Sequence, residues 1–113
     1  LPILNYLEHA RMQFLKKIGF DYVGMIEEGY MLYVSHIDIK YKHSAKLYDK
    51  LAIEVTHIEL GKVSGTFLQV IKNEEGKVCA EAKVTWACVD STGRPVKIPE
   101  KYLVPGLEPE FQP

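Results

Sequence analysis

The sequence lacks several features that would place it in a specialised class of protein. It contains no apolar run near the roughly 18 residues that cross a bilayer, and no secretory signal is visible. Fourteen basic residues face fifteen acidic ones, so the formal net charge is −1 at pH 7. A nucleic-acid surface usually shows a basic excess. We therefore expect neither a membrane nor a nucleic acid as a partner.

Cysteine is scarce, and its two positions exclude a disulfide within the chain. Cys79 and Cys88 fall in one predicted strand, where about nine residues span roughly 30 Å and odd spacing puts the side chains on opposite faces. A disulfide needs Cα atoms within about 7 Å. Reduced thiols predict a cytoplasmic protein. Neither this pair nor His36, His43 and His57 show the spacing of metal ligands, so no metal is expected.

The composition is that of one globular domain that begins with helices. The chain has 113 residues, of which 47% are apolar and 26% charged. Apolar residues recur at helical spacing over residues 3–18, which predicts an amphipathic helix that ends at Gly19. A second, short helix is predicted over residues 22–28. The apolar stripe of the first helix consists of Ile3, Leu7, Ala10, Phe14 and Ile18, widened by Leu4 and Leu15.

After the helices, alternation of apolar and polar residues predicts four strands. Residues 43–50 form a polar connection, residues 73–76 form a hairpin turn, and the chain beyond residue 95 is expected to be extended or frayed. The predicted strands are residues 30–42, 51–60, 66–72 and 78–90. One face of the first strand is predicted to carry Tyr33, Ser35, Ile37, Ile39 and Tyr41.

The fourth strand indicates how these parts pack. Its predicted inward set includes two small residues, Ala80 and Ala82, which leave a trough in the sheet. A helix needs such a trough to approach closely at the packing density of a protein interior. We therefore predict an α+β architecture in which one long helix is wrapped by an antiparallel sheet. The full inward set is Val78, Ala80, Ala82, Val84, Trp86 and Cys88.

Short motifs in a characteristic order give the sequence a resemblance to a known family. They are Y-L-E-H-A-R at 6–11, S-G-T-F at 64–67, E-E-G-K at 74–77 and G-R-P-V-K-I-P at 93–99. Together they resemble the hotdog-fold acyl-CoA thioesterases of the 4-hydroxybenzoyl-CoA thioesterase type. On this basis we predict a hotdog domain over residues 1–104 and a proline-rich C-terminal tail over residues 105–113.

The resemblance implies hydrolysis of an acyl-CoA thioester to free acid and coenzyme A, by a homodimer or homotetramer. No separate cofactor is implied, because coenzyme A is part of the substrate. The family places a catalytic aspartate and a G-H-x-N motif on a first strand before the long helix, which here would lie upstream of Leu1. We therefore expect that first strand to be missing from these 113 residues, and we expect the chain by itself to have little activity.

Thioester hydrolysis requires a carboxylate that attacks the carbonyl or activates water, and donors for the developing oxyanion. A helix N-terminus offers such donors, and the resemblance points to the backbone N–H groups of Leu1 and Ile3, since Pro2 has none. Glu8 is the candidate carboxylate on the helix, although a structural role for it is favoured. The alternatives are a non-catalytic subunit that binds an acyl group or acyl carrier, and a hotdog dehydratase, to which the adjacent Glu8 and His9 lend slight support.

The resemblance also implies where the substrate lies. The nucleotide end of coenzyme A would bind near the third hairpin and after the last strand, although ordinary surface charge explains these residues equally well. An acyl pocket could be lined by Met25, Tyr30, Met31, Tyr33 and Tyr41, which core packing would also explain. The predicted nucleotide-binding residues are Lys62, Ser64, Thr66, Arg94 and Lys97.

Overall fold

The computed structural model describes residues 3–43 and 50–109. Each predicted helix and strand is confirmed to within two residues at either end, while most of the predicted connection at 43–50 lies outside the described residues. The helices are Ile3–Lys17 (α1) and Tyr22–Glu27 (α2). The strands are Met31–Tyr41 (β1), Ala52–Leu60 (β2), Ser64–Lys72 (β3) and Val78–Val89 (β4), and two short 3₁₀ helices follow at Glu100–Tyr102 and Pro105–Leu107.

The four strands form one antiparallel sheet in the order β1-β4-β3-β2, and α1 lies on one face of it, which we call the inner face. Gln69 on this face donates a hydrogen bond to the backbone of α1, and the ring of Phe67 meets that of Phe14 edge to face at 5.7 Å. The predicted α+β architecture is therefore confirmed. Within the described ranges, neither helix has the length and apolar character needed to cross a membrane.

The predicted inward face of β4 is confirmed. All its residues from Ala80 onward are 3% exposed or less, and only Val78 at the end of the strand is half-buried. Ala82 stands between Ile39 on β1 and Gln69 on β3, so a methyl group occupies the middle of the sheet below α1. Cys79 and Cys88 are both buried and free, as the strand geometry predicted.

The predicted face of β1 is correct for only half of the strand. A β-bulge between Val34 and His36 inserts one residue into the pairing with β4. Such a bulge reverses the alternation of the side chains on either side of it. Ile37 and Ile39 share one face as predicted, and it is the inner one, but Tyr33 lies on the outer face and is 56% exposed.

The buried side of α1 also differs from the predicted stripe. Leu7, Arg11 and Leu15 are the buried residues, spaced four apart, whereas Leu4 is 52% exposed. Leu4 therefore does not widen the stripe, and a charged residue occupies its centre.

The chain after β4 was predicted to be extended or frayed, but its described part, up to residue 109, packs against the domain and includes two 3₁₀ helices. The Tyr102 hydroxyl donates to the carbonyl oxygen of Gly24 at 3.2 Å, and Leu107 is 1% exposed. Gly106 packs directly on Ile18, so closely that a Cβ at position 106 would lie 2.4 Å from the Ile18 Cβ. The segment up to residue 109 therefore covers the C-terminal end of α1. The proposed division of the chain at residue 104 stays a prediction.

Candidate active site

The N-terminal end of α1 is the first part of the predicted site. The described helix begins at Ile3, has no acidic residue in its first turn and exposes the apolar side chains of Leu4 and Tyr6. The first N–H groups of a helix have no partner within it and favour a negative charge. This end can therefore bind an anion or a developing oxyanion. Leu1 lies outside the described residues.

Glu8, the candidate carboxylate, lies on the exposed side of α1 one turn after the helix begins, and its neighbour His9 is also exposed. Glu8 does not line any of the three cavities described below. Its charge acts on Arg11, whose pKa is lowered mainly by burial and raised in part by Glu8.

A buried polar cluster joins α1 to the sheet, and the sequence analysis missed it. Gln69 is fully buried, donates from Nε2 to the carbonyl oxygen of Leu7 at 2.9 Å and accepts at Oε1 from Arg11 Nη1 at 3.0 Å. Arg11 is 7% exposed. The available signals were a glutamine inside the apolar run F-L-Q-V-I and an arginine four residues after Leu7.

A second buried cluster surrounds His57. Trp86 Nε1–H donates to His57 Nε2 at 3.0 Å, and indole nitrogen can only donate, so the proton of the neutral imidazole is on Nδ1. Nδ1–H then donates to the carbonyl oxygen of Leu107 at 2.7 Å. Burial lowers the pKa of His57, and the hydrogen bond to Leu107 and the charge of Glu108 offset this in part. His57 is a structural histidine, consistent with its lack of metal-ligand spacing.

Three cavities lie beside α1, β2 and the start of β1. Two of them, of about 800 and 580 Å³, lie between α1 and β2 and share Phe14, Lys17 and Val55. The third, of about 700 Å³, lies at the start of β1 and is lined by Tyr30, Met31 and Tyr33, three of the predicted pocket residues. The other two do not line it, because Met25 is fully buried in the core and Tyr41 lies far along β1 and is 70% exposed.

Part of the predicted nucleotide-binding set is brought together at one corner of the sheet. The N–H of Ile98 donates to the carbonyl oxygen of Lys62 at 3.0 Å, which places the β2–β3 turn beside the segment that contains Lys97. Both lysines are exposed, and Ser64 begins β3 just after the turn. This corner therefore offers two cations and a hydroxyl.

The other two members of the set are placed differently. Thr66 is 8% exposed, and its Oγ1 lies 3.4 Å from that of Thr85 on the outer face. The side chain of Arg94 is exposed, while its backbone N–H donates to Asp90 Oδ1 at 3.1 Å. Hydrogen bonds to that carboxylate, first from Thr92 and then from the backbone of Arg94, lower the pKa of Asp90. Among residues 3–43 and 50–109 there is no group of three or more metal-ligating side chains.

Comparisons with known proteins show the family and the fold of the chain. The chain is 35% identical over 88 residues to the long-chain acyl-CoA thioesterase FadM of Escherichia coli, covering 77% of this chain and 66% of that protein. It is 28% identical over 107 residues to the acyl-CoA thioester hydrolase YbgC of Escherichia coli O6:H1, covering 95% and 77%. The chain spans only about half to two thirds of the length of three of the curated relatives that it matches.

Among solved structures, the fold matches a DHNA-CoA thioesterase from Staphylococcus aureus with a TM-score of 0.79 and 22% identity, over 84% of this chain and 64% of that one. This match shows the hotdog fold. The family model described as the thioesterase-like superfamily matches residues 2–105. Because that model spans nearly all of the chain, the protein belongs to the thioesterase-like superfamily.

Proposed function

We propose that the protein hydrolyses an acyl-CoA thioester and releases a free acid and coenzyme A. The observation that carries the proposal is the N-terminal end of α1, which has no acidic residue in its described first turn and belongs to a hotdog fold of the thioesterase-like superfamily. The names of FadM and YbgC support acyl-CoA as the substrate class.

The reaction would use this end of α1 to stabilise the oxyanion. A carboxylate removes a proton from water, the water oxygen attacks the carbonyl carbon, and negative charge develops on the carbonyl oxygen. The first N–H groups of α1, including that of Ile3, would bind that oxygen. The tetrahedral intermediate then collapses and its C–S bond breaks. The leaving thiolate takes up the proton that the carboxylate removed from water. Within the described residues Glu8 is the candidate carboxylate on α1. The family resemblance assigns this role to an aspartate upstream of Leu1.

The test measures thiol release from a panel of aromatic and aliphatic acyl-CoA substrates. It uses residues 1–113 and a longer version that carries the natural residues upstream of Leu1. We expect thiol release from the longer version. Replacing its upstream aspartate by asparagine should lower the rate of thiol release about a hundredfold or more. Acyl-CoA binding without thiol release by either version would instead support a non-catalytic binding subunit. Glu8→Gln, made in both versions, shows whether Glu8 contributes.

We also propose that the nucleotide end of coenzyme A binds at the corner formed by Lys62, Ser64 and Lys97, and that the other two predicted residues, Arg94 and Thr66, contribute less. The backbone hydrogen bond between Ile98 and Lys62 supports this, because it places two exposed lysines close together, and phosphates bind cations and hydroxyl donors. Lys62→Ala and Lys97→Ala should raise KM and leave kcat unchanged. Lys83→Ala, an exposed lysine on β4, is the matched control. Equal KM values for all three variants would contradict the proposal.

The oligomer we propose is a homodimer formed along β1. Among the described residues β1 pairs only with β4, so one edge of this 11-residue strand is open, and Met31, Tyr33, Val34 and Tyr41 are exposed on it. Open edges of this length favour pairing with another chain, and a charged side chain disfavours it. Sedimentation velocity should show a dimer for the parent chain and a monomer for Val34→Lys. Tyr6→Lys on α1 is the control.

The compartment we propose is the cytoplasm, because Cys79 and Cys88 are free thiols buried in the domain and disulfides are rare in a reducing compartment. Fractionation of cells that express the tagged protein tests this.

A further inference from the structure

The central contact between α1 and the sheet is made by polar groups in the most buried part of the domain. Gln69 is fully buried at the middle of β3, and Arg11 is 7% exposed on the facing side of α1. Burying an amide and a guanidinium is unfavourable unless they are hydrogen-bonded. Two apolar side chains would fill the same space without this cost, so packing alone does not account for the pair.

Gln69 uses both ends of its amide to hold two successive turns of α1. Its Nε2 donates to the carbonyl oxygen of Leu7, and its Oε1 accepts from Arg11 Nη1, one turn later on the same side of the helix. Hydrogen bonds are directional, whereas apolar contacts are not. This double contact therefore fixes both the position of α1 along its axis and its rotation about that axis.

The neighbours of Gln69 show why the contact can form at this place. Gln69 pairs with Ala82 on β4 and with Val55 on β2. Ala82 is fully buried and contributes only a methyl group, which leaves room beside Gln69 for the long side chains of Gln69 and Arg11 to meet. A larger residue at position 82 would compete with them for this space.

We propose that Gln69 and Arg11 are positioning residues that hold the N-terminal end of α1 in its catalytic position. The inference rests on the proposed thioesterase function. Leu7 lies four residues after Ile3, about 6 Å along the helix axis, so the contact acts within about one turn of the oxyanion donors. Displacement of such donors by about 1 Å can cost a factor of about a hundred in rate, and the donors act only at hydrogen-bond distance from the oxyanion.

The kinetic experiment compares substitutions that break the contact with one that preserves it. Gln69→Met keeps the size and removes both hydrogen bonds, and Arg11→Met removes one. Arg11→Lys keeps a charged donor. In the version of the chain that releases thiol, we expect both methionine variants to lower kcat about tenfold or more, with KM changed less than threefold. Arg11→Lys should retain most of the kcat of the parent chain. Val84→Ala is the control, because it truncates a fully buried residue of the same sheet face that takes part in neither hydrogen bond.

A purely structural role would lower the melting temperature of Gln69→Met and Val84→Ala alike and leave kcat within twofold in both. That result overturns the inference. If Gln69→Met does not fold, the Arg11→Met and Arg11→Lys pair decides by the same criterion.

Amide hydrogen exchange separates this inference from the proposed function. In both Arg11→Met and Gln69→Met, exchange at residues 7–11 should accelerate at least threefold relative to residues 14–17. Val84→Ala should not change that ratio. If no version releases thiol, the thioesterase proposal fails, and an unchanged exchange ratio then overturns the positioning role separately.

Discussion

The two ends of α1 are held in different ways. At the C-terminal end, Leu15 and Phe20 are buried, Gly106 packs against Ile18, and Leu107 closes the core. At the N-terminal end, Leu4 and Tyr6 are about half exposed, and the helix is attached to the sheet by the buried side chain of Leu7 and by the hydrogen-bonded contact of Gln69 with Leu7 and Arg11.

The difference separates stability from positioning within one helix. The closed end removes apolar surface from water, which is the main source of folding free energy. The other half of α1 is located by directional hydrogen bonds as well as by the buried side chain of Leu7, and such bonds fix a position as closely as oxyanion donors require. Substitutions at the closed end should therefore change stability without changing chemistry.

The largest expected effect is at the closed end. Leu107→Ala removes a side chain that is 1% exposed, and such truncations cost about 2–5 kcal/mol in the free energy of unfolding. Urea denaturation measures the loss, with Leu103→Ala, a 41% exposed neighbour, as the control. A loss below about 1 kcal/mol would mean that the segment around Leu107 is not part of the core.

A somewhat smaller effect is expected beneath the other half of α1. Ala82→Leu introduces three carbons at a fully buried position beside Gln69, and overpacking of this kind costs about 1–3 kcal/mol. Denaturant midpoints of the parent and variant measure it. An unchanged midpoint would show that the sheet accommodates the larger side chain and that the trough is not required for the approach of α1.

The His57 cluster at the closed end predicts a pH dependence of stability. The pKa of His57 is lowered by folding, while an unfolded histidine titrates near pH 6.5. As pH falls below about 6.5, the unfolded chain binds a proton that the folded chain does not. The free energy of unfolding therefore falls, by up to about 1.4 kcal/mol per pH unit. The decline ends once pH has passed below the pKa in the folded state.

Urea denaturation at pH 7.5, 6.5 and 5.5 tests this pH dependence. The fluorescence of the single tryptophan, Trp86, reports unfolding, because its indole stacks on His57 with ring centroids 5.6 Å apart. His57→Gln should be less stable at pH 7.5, and its free energy of unfolding should fall less steeply as the pH is lowered. The other histidines are common to both chains, so equal slopes would assign the pH dependence to them.

The smallest effect is expected at an exposed ion pair just after α2. Lys101 Nζ lies 2.6 Å from Glu28 Oε1, but the two side chains are 61% and 44% exposed. Exposed ion pairs contribute about 0–1 kcal/mol. Glu28→Gln should therefore lower stability by less than about 1 kcal/mol, and 1 M NaCl should reduce the difference. A larger loss would mean that this pair, and not the apolar contacts, attaches the C-terminal segment.

The sequence was sufficient to predict the fold because its patterns are local. Helical spacing in residues 3–18 and alternation in the strands gave each element, and Ala80 and Ala82 gave the face that α1 covers. The bulge at Val34–His36 was not predicted, because alternation alone does not show where a residue is inserted. The packing of Gly106 and Leu107 was missed because it depends on a contact with Ile18, 88 residues earlier in the chain.

The site was less predictable than the fold. Arg11 and Gln69 are 58 residues apart, and an arginine on a helix is most often a surface residue, so only the folded chain shows the pair. The roles of Glu8, Ile3 and the lysines at the sheet corner stay predictions, because they require a bound substrate to be decided.

The bulge in β1 also has a consequence for how the length of this strand can vary. Deleting any paired residue of a strand turns every side chain on one side of the deletion to the opposite face. Ser35 is the extra residue between the pairs Val34–Trp86 and His36–Thr85, so its deletion would leave both halves of β1 in phase with β4. The side chain of Ser35 is exposed, and the hydrogen bond that it donates to the carbonyl oxygen of Thr85 is 3.3 Å long. Ser35 is thus the position at which β1 can lose a residue and keep its core.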